Sequence, residues 1–326
     1  MEWSTTDPGT ADDVVSASAL GSATAREHRL DQEMAALGWR VPAGRHLDLP
    51  GRGTTFIRDT PGPSEHAPTV LLLHGLAATG GLNWYPVFGE LSRHFRVVAI
   101  DHRGHGRGLR SHERFRLAHC ADDAVAVADA LGVERFIPVG YSMGGPIAQL
   151  VWHRHRRRVD ALVLCATSRN FRGRVRERVQ FMGLGMLVAG KWGGDPVNRI
   201  TRMIEELLVP SMGQPELRRW ALRELNGHDI RKVVEAAEAL GRYSSHDWIG
   251  DIDVPVSVVV PTSDRLVPVR RQVKLARSIP SAVLFPVEGT HLVSAVEPDE
   301  FASVVADACL LAADRAARHG RPGARR

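Results

Sequence analysis

Lysine is almost missing from this chain: only Lys191, Lys232 and Lys274 among its 42 basic residues are lysines, and the rest are arginines. No aromatic platform or nucleic-acid reader motif accompanies that arginine, so the skew reads as the codon bias of a GC-rich genome, and nucleic acid is not an expected partner. Cysteine is also scarce. Cys120, Cys165 and Cys309 are an odd, scattered set with no CxxC spacing. That excludes a disulfide framework and a cysteine-built zinc site, and it suits a reducing cytoplasm. No run of about 18 uninterrupted apolar residues occurs, which excludes a transmembrane helix. A basic start followed by an apolar core, the pattern of a signal peptide, is missing from the first residues. There is no internal repeat.

What is present is the balance of a globular protein. The 326 residues are 44% hydrophobic and 24% charged, enough for one large α/β domain with an insertion. The net charge of +5 is spread along the chain. Its densest basic run, His153 to Arg158, closes an expected helix, where cations complement the exposed carbonyls. Residues 1–44 read as an N-terminal extension, partly disordered or a peripheral helix over Ala25–Leu37. Residues 317–326 read as a disordered tail.

Between these ends, short apolar runs read as buried parallel strands: Thr69–Leu73, Val97–Ile100, Phe136–Val139, Ala161–Cys165, Val256–Val260 and Ala282–Phe285. Helical stretches separate several of them, at Cys120–Leu131, Pro146–His155, Val269–Ser278 and Pro298–Ala316. Arg45–Asp59 reads as a leading antiparallel hairpin around Gly51–Gly53. Such alternation specifies an α/β fold, a doubly wound and mostly parallel sheet with helices on both faces. One interval breaks the rhythm. Residues 167–247 carry only helical periodicity and read as a helical lid inserted between strands of a core formed by 45–166 and 248–316. Met182, Met186, Met203 and Met212 are spaced to set an apolar stripe on that lid. The bland reading is that they only pack it onto the core. Arg169, Arg172, Arg174 and Arg176 at its start could contact a substrate carboxylate, but face solvent on the simplest reading.

The chemistry begins at Gly140-Tyr141-Ser142-Met143-Gly144-Gly145. Gly-x-Ser-x-Gly alone says little, but here it follows a strand at once and opens a helix, the setting a nucleophile elbow requires. A serine hydroxyl needs a base to take its proton, and the base needs a carboxylate to hold its tautomer. Of the fifteen histidines, His228, His246, His291 and His319 lie beyond the elbow helix and the core strands. His291, in Glu288-Gly289-Thr290-His291-Leu292, falls between the last strand and the last helix, where the base belongs. Asp264 follows the strand Val256–Val260 and emerges at the carboxyl edge, whereas Asp251 and Asp253 precede that strand; Asp247 is the remaining candidate. The oxyanion donors are expected to be the backbone N–H of Met143, after the nucleophile, and of Leu76, in the His74-Gly75-Leu76-Ala77 loop. The side chain of His74 reads as structural.

With these motifs assembled, the sequence resembles the α/β-hydrolase superfamily over residues 45–315. The matches are His74-Gly75, Asp101-His102-Arg103-Gly104-His105-Gly106, the elbow, Asp264 before Pro268, and Gly289-Thr290-His291. The resemblance implies a Ser142–His291–Asp264 triad, with Leu76 and Met143 as oxyanion donors and no metal or cofactor. Within the superfamily it is most similar to small esterases, enol-lactone hydrolases and carbon–carbon bond hydrolases; a serine nucleophile separates it from the aspartate-using dehalogenases and epoxide hydrolases. Two positions depart from the pattern. Pro138 lies inside a strand that should be central, and Thr262 stands where relatives commonly have glycine.

Three functions compete on this reading. The first is hydrolysis of a carboxylic ester, thioester or lactone with an apolar acyl part, a small-molecule substrate. The second keeps the triad but directs it to acyl transfer, perhydrolysis or C–C cleavage. The third, from another class, is a non-catalytic ligand receptor on the same fold.

Overall fold

The computed structural model describes residues 34, 38–171, 214–225 and 227–318. The four lid methionines and Arg172, Arg174 and Arg176 lie outside these residues, as do most of the N-terminal segment and the end of the tail. The expected leading hairpin is β1 (Gly44–Leu49) against β2 (Gly53–Thr60). Then follow β3 (Thr69–Leu73), the short helices α1 (Gly80–Trp84) and α2 (Phe88–Leu91), β4 (Arg96–Ile100), α3 (Leu117–Ala130), β5 (Ile137–Tyr141), α4 (Gly144–Arg154) and β6 (Leu162–Cys165). After the interval come α5 (Pro215–Leu225), α6 (Ile230–Arg242), β7 (Val256–Pro261), α7 (Val269–Arg277), β8 (Ala282–Val287), α8 (Val293–Val296) and α9 (Pro298–Arg318).

The eight strands form one sheet in the order β1-β2-β4-β3-β5-β6-β7-β8. Only the pairings of β2 with β1 and β4 are antiparallel, so the sheet is doubly wound and mostly parallel, as the alternation predicts. All of β3 and β5 is buried, which explains their unbroken apolar character. Alternate residues serve opposite faces. Val70 and Leu72 of β3 join Trp84, Phe88, Phe301 and Val305 on one side, while Leu71 and Leu73 join Cys120, Ala124, Ile147 and Trp152 on the other. Among the described residues no helix is long and apolar enough to cross a membrane.

Pro138 is accommodated by a slip in register. Phe136 pairs with Val159, yet Val139 pairs with Val163, so the β6 side carries one extra residue opposite the proline. The ladder is interrupted where the proline has no N–H to give.

The chain leaves β3 toward β4 on one side and returns to β5 on the other. The carboxyl ends of β3 and β5 therefore diverge, opening the crevice in which open α/β sheets bind ligands. Helix α5 is fastened beside this crevice by buried charge. Glu224 accepts from Thr79 Oγ1 at 2.6 Å, from Arg107 at 2.6 Å and from Arg58 at 3.3 Å. Burial alone would raise the Glu224 pKa, but Arg107 and Arg58 hold it below the usual value. Helix α6 is tied down separately, with Glu235 accepting from the N–H of Phe115 and from Lys232.

Removing one partner of a buried ion pair leaves uncompensated charge. Glu224→Ala is expected to lower the urea-derived unfolding free energy by about 3–5 kcal/mol. A loss under about 1 kcal/mol would show that the network does not hold α5 to the core.

Candidate active site

The elbow is built by close approach. A Cβ on Gly140 would overlap the carbonyl of Gly144, and one on Gly144 would overlap the carbonyl of Leu73, so α4 can pack against β3 and β5 only with glycine at both positions. Ser142 takes a left-handed backbone conformation, φ +51°, unusual for a residue with a side chain. Its own N–H donates to Cys165 O, and its carbonyl accepts from Thr167 Oγ1. These bonds hold the strained turn and leave the hydroxyl at the carboxyl edge.

Three of the sequence candidates meet there. Ser142 Oγ lies 3.0 Å from His291 Nε2, and His291 Nδ1 lies 2.8 Å from Asp264 Oδ2. The carboxylate only accepts, so Nδ1 carries the proton and Nε2 is left free to take the serine's. Asp264 is sealed from solvent, its side chain 0% exposed against 11% for His291. Its Oδ1 accepts from the N–H groups of Leu266 and Val267, both at 2.9 Å. The His291 loop is anchored through the elbow, because Tyr141 Oη donates to His291 O at 2.5 Å.

The other candidates are placed elsewhere. Asp253 accepts from Trp152 Nε1 at 3.1 Å on the α4 side. Asp251 and His246 are exposed, and His319 lies outside the described residues. Among the described residues the N–H groups of Leu76 and Met143 donate to no protein acceptor. The loop bearing Leu76 runs beside Ser142: a Cβ on Gly75 would stand 3.4 Å from Ser142 Cβ. Gly75 N–H is already committed to Asn83 Oδ1 at 2.8 Å. Thr262, the departure before the acid, donates its N–H to Val287 O.

Behind that loop the histidines of two of the quoted motifs meet a fourth from beyond α5. His74, His102, His105 and His228 pack together, with ring centroids 4.2 Å apart for His74–His102, 5.4 Å for His74–His105 and 5.5 Å for His105–His228. His74 Nε2 accepts from the N–H of His102, so its Nδ1 carries the proton and donates to Gly75 O. Gly106 N–H donates to His228 Nδ1. Burial, reinforced by mutual repulsion, pushes His74, His102 and His105 well below the usual imidazole range, and burial takes His228 down to about 4. Among the described residues no group of three or more His, Cys, Asp or Glu is arranged to hold a metal ion. A surface cleft of about 1120 Å³ opens at the opposite, amino edge of the sheet. Its Arg96 and Arg135 are engaged by Asp59 and Asp160, and it lies far from Ser142 in the fold.

With this geometry in place, residues 68–298 match the family described as alpha/beta hydrolase fold. The chain belongs to that family. A relative from Agrobacterium fabrum bearing the name of the carbamate hydrolase RutD is 30% identical over 253 residues, which cover 72% of this chain and 90% of the relative. The enol-lactonase of Burkholderia xenovorans LB400 superposes with a TM-score of 0.67 at 21% identity, covering 82% of this chain and all of that one. Est816, described as an N-acyl homoserine lactone degrading enzyme, superposes with a TM-score of 0.61 at 25% identity, covering 80% and 98%. The hydrolase is thus of a common fold whose members differ in the bond they cleave.

Four histidines kept neutral by burial make stability depend on pH. As pH falls below about 6.5 the unfolded chain binds protons that the native chain refuses, so stability falls with pH until the folded groups themselves titrate, near 4 for His228. Urea midpoints are expected to drop steadily from pH 7.5 to pH 5.5, with proton uptake on unfolding approaching about four from this cluster. An unchanged midpoint over that range would contradict a neutral buried cluster.

Proposed function

We propose that this chain is a serine hydrolase of carboxylic esters, thioesters or lactones that needs no cofactor. The observation that carries the reading is the unbroken hydrogen-bonded line from Ser142 Oγ through both nitrogens of His291 to the buried Asp264, with the serine held in a strained turn. Nucleophile, base, orienting carboxylate and oxyanion donors are then all protein groups.

In the first half of the reaction His291 Nε2 takes the proton as Ser142 Oγ attacks the carbonyl carbon. The carbonyl oxygen becomes an oxyanion held by the N–H groups of Leu76 and Met143. Collapse expels the alcohol, which leaves with the proton from His291, and an acyl group remains on Ser142. Water then attacks the acyl carbon with His291 again as base, and the acid departs with the serine hydroxyl restored. Asp264 does not take the proton; it orients the ring and stabilises the imidazolium.

An apolar acyl part suits the site. Leu76, Leu266 and Leu292 stand on the loops that carry the oxyanion donor, the acid and the base, and Leu266 is 47% exposed. We place catalysis in residues 45–166 and 248–316 and assign 167–247 to a covering insertion. The three free, buried cysteines suit a reducing compartment such as the cytoplasm. A carbamate is the second reading, favoured by the 30% identity to a relative of that name, since its carbonyl is open to the same attack.

Ser142→Ala and His291→Ala are each expected to lower kcat by about 10⁴ or more with the fold retained. Asp264→Asn is expected to be severe and Asp253→Asn mild; a reversal would move the acid. A Ser142→Ala variant that keeps wild-type turnover would remove the mechanism.

With 4-nitrophenyl esters, kcat/KM is expected to climb from acetate to medium chains, by up to about fourfold per methylene if each contributes about 0.8 kcal/mol. A flat series with faster turnover of an aryl carbamate would favour the second reading.

A further inference from the structure

Asp264 has a partner that belongs to no hydrolase motif. Gln272, on α7 and fully buried, donates from Nε2 to Asp264 Oδ2 at 2.9 Å and to Val267 O at 2.8 Å. The orientation of this amide is fixed by its surroundings. A carboxylate oxygen and a main-chain carbonyl only accept, so the NH₂ must face them both. Its Oε1 is then buried and accepts from no donor among the described residues. The arrangement leaves Oε1 without a partner in exchange for two donated bonds, one to a main-chain carbonyl and one to the Asp264 carboxylate.

We infer that Gln272 is a positioning residue of the proposed triad, fixing the Asp264 carboxylate and limiting the negative charge that Oδ2 presents to His291. The inference rests on the serine hydrolase reading. Two main-chain N–H groups hold Oδ1, and Gln272 and His291 share Oδ2. The carboxylate therefore cannot rotate to exchange its oxygens, and His291 always meets the same one. The shared oxygen also divides its charge between two donors, so it stabilises the imidazolium less than a bare oxygen would. The titratable groups facing Asp264 are His291 from the last loop and Tyr141 from β5, whose buried phenol feels the Asp264 charge and donates to His291 O. Gln272 is the donor on Oδ2 that cannot titrate, so its bond to the carboxylate is the same at every pH.

The test compares wild type, Gln272→Met, Gln272→Glu and Ser142→Ala, with kcat and KM for 4-nitrophenyl acetate measured from pH 5.5 to 9. Gln272→Met keeps the bulk and removes both donors. It is expected to lower kcat by about tenfold with KM within about twofold, and to move the acid limb of kcat/KM up by about half a pH unit, because the undivided Oδ2 charge favours the imidazolium. Gln272→Glu puts a group beside Oδ2 that must hold a proton to stay there. Its activity is expected to fall as pH rises toward 9, where wild type stays level. Wild-type kcat and limb position in Gln272→Met overturn the inference, and so does a lower kcat with an unmoved limb, which is the result of lost packing alone. If Gln272→Met does not fold, Gln272→Glu decides, and a wild-type profile there overturns the inference equally. Ser142→Ala separates the two levels: inactive, it leaves the hydrolase reading standing whatever Gln272 does; active, that reading falls first.

Discussion

Everything at the carboxyl edge depends on how near α4 comes to β3 and β5. That approach leaves no room for a Cβ at Gly140 or Gly144, and the compressed turn forces Ser142 to a positive φ. The strain is held by two bonds to the end of β6 and the residues after it, from Ser142 N–H to Cys165 O and from Thr167 Oγ1 to Ser142 O. A relaxed turn would lay the serine along the strand, away from the crevice. The elbow is thus a packing constraint first and a chemical site second.

Around the elbow, each member of the proposed triad is held by elements distant in sequence. Tyr141 and His291 are 150 residues apart, yet one hydrogen bond joins the strand before Ser142 to the loop of His291. Asp264 is fixed by its own loop and by α7. The loop of the proposed oxyanion donor Leu76 is supported from behind by His74 and from the side by Asn83. In the proposed reaction such preorganisation spares donors and acceptors from turning, where reorientation would add to the barrier.

Much of this could be read from the chain. The central parallel strands were legible because residues buried on both faces leave unbroken apolar runs, and Ser142, Asp264 and His291 because each follows the carboxyl end of an apolar run; β8, also read as buried, is an edge strand whose Leu284 is 42% exposed. Pro138 looked out of place until the register slip against β6 supplied its reason. The histidine cluster, Glu224 and Gln272 were not legible. Their partners lie on other elements, as far as 166 residues away for Arg58 and Glu224. Even Gln272, eight residues from Asp264, follows no periodicity that marks it. Local pattern reports what one element buries, and these side chains are defined by what two elements share.

The central claim is that Ser142 is an activated nucleophile. Reaction with a fluorophosphonate followed by peptide mass spectrometry tests it most directly. One adduct per chain is expected, on Ser142, formed faster as pH rises from acid toward neutral and lost in His291→Ala. No adduct, or an adduct on another residue at the same rate in Ser142→Ala, would contradict the account.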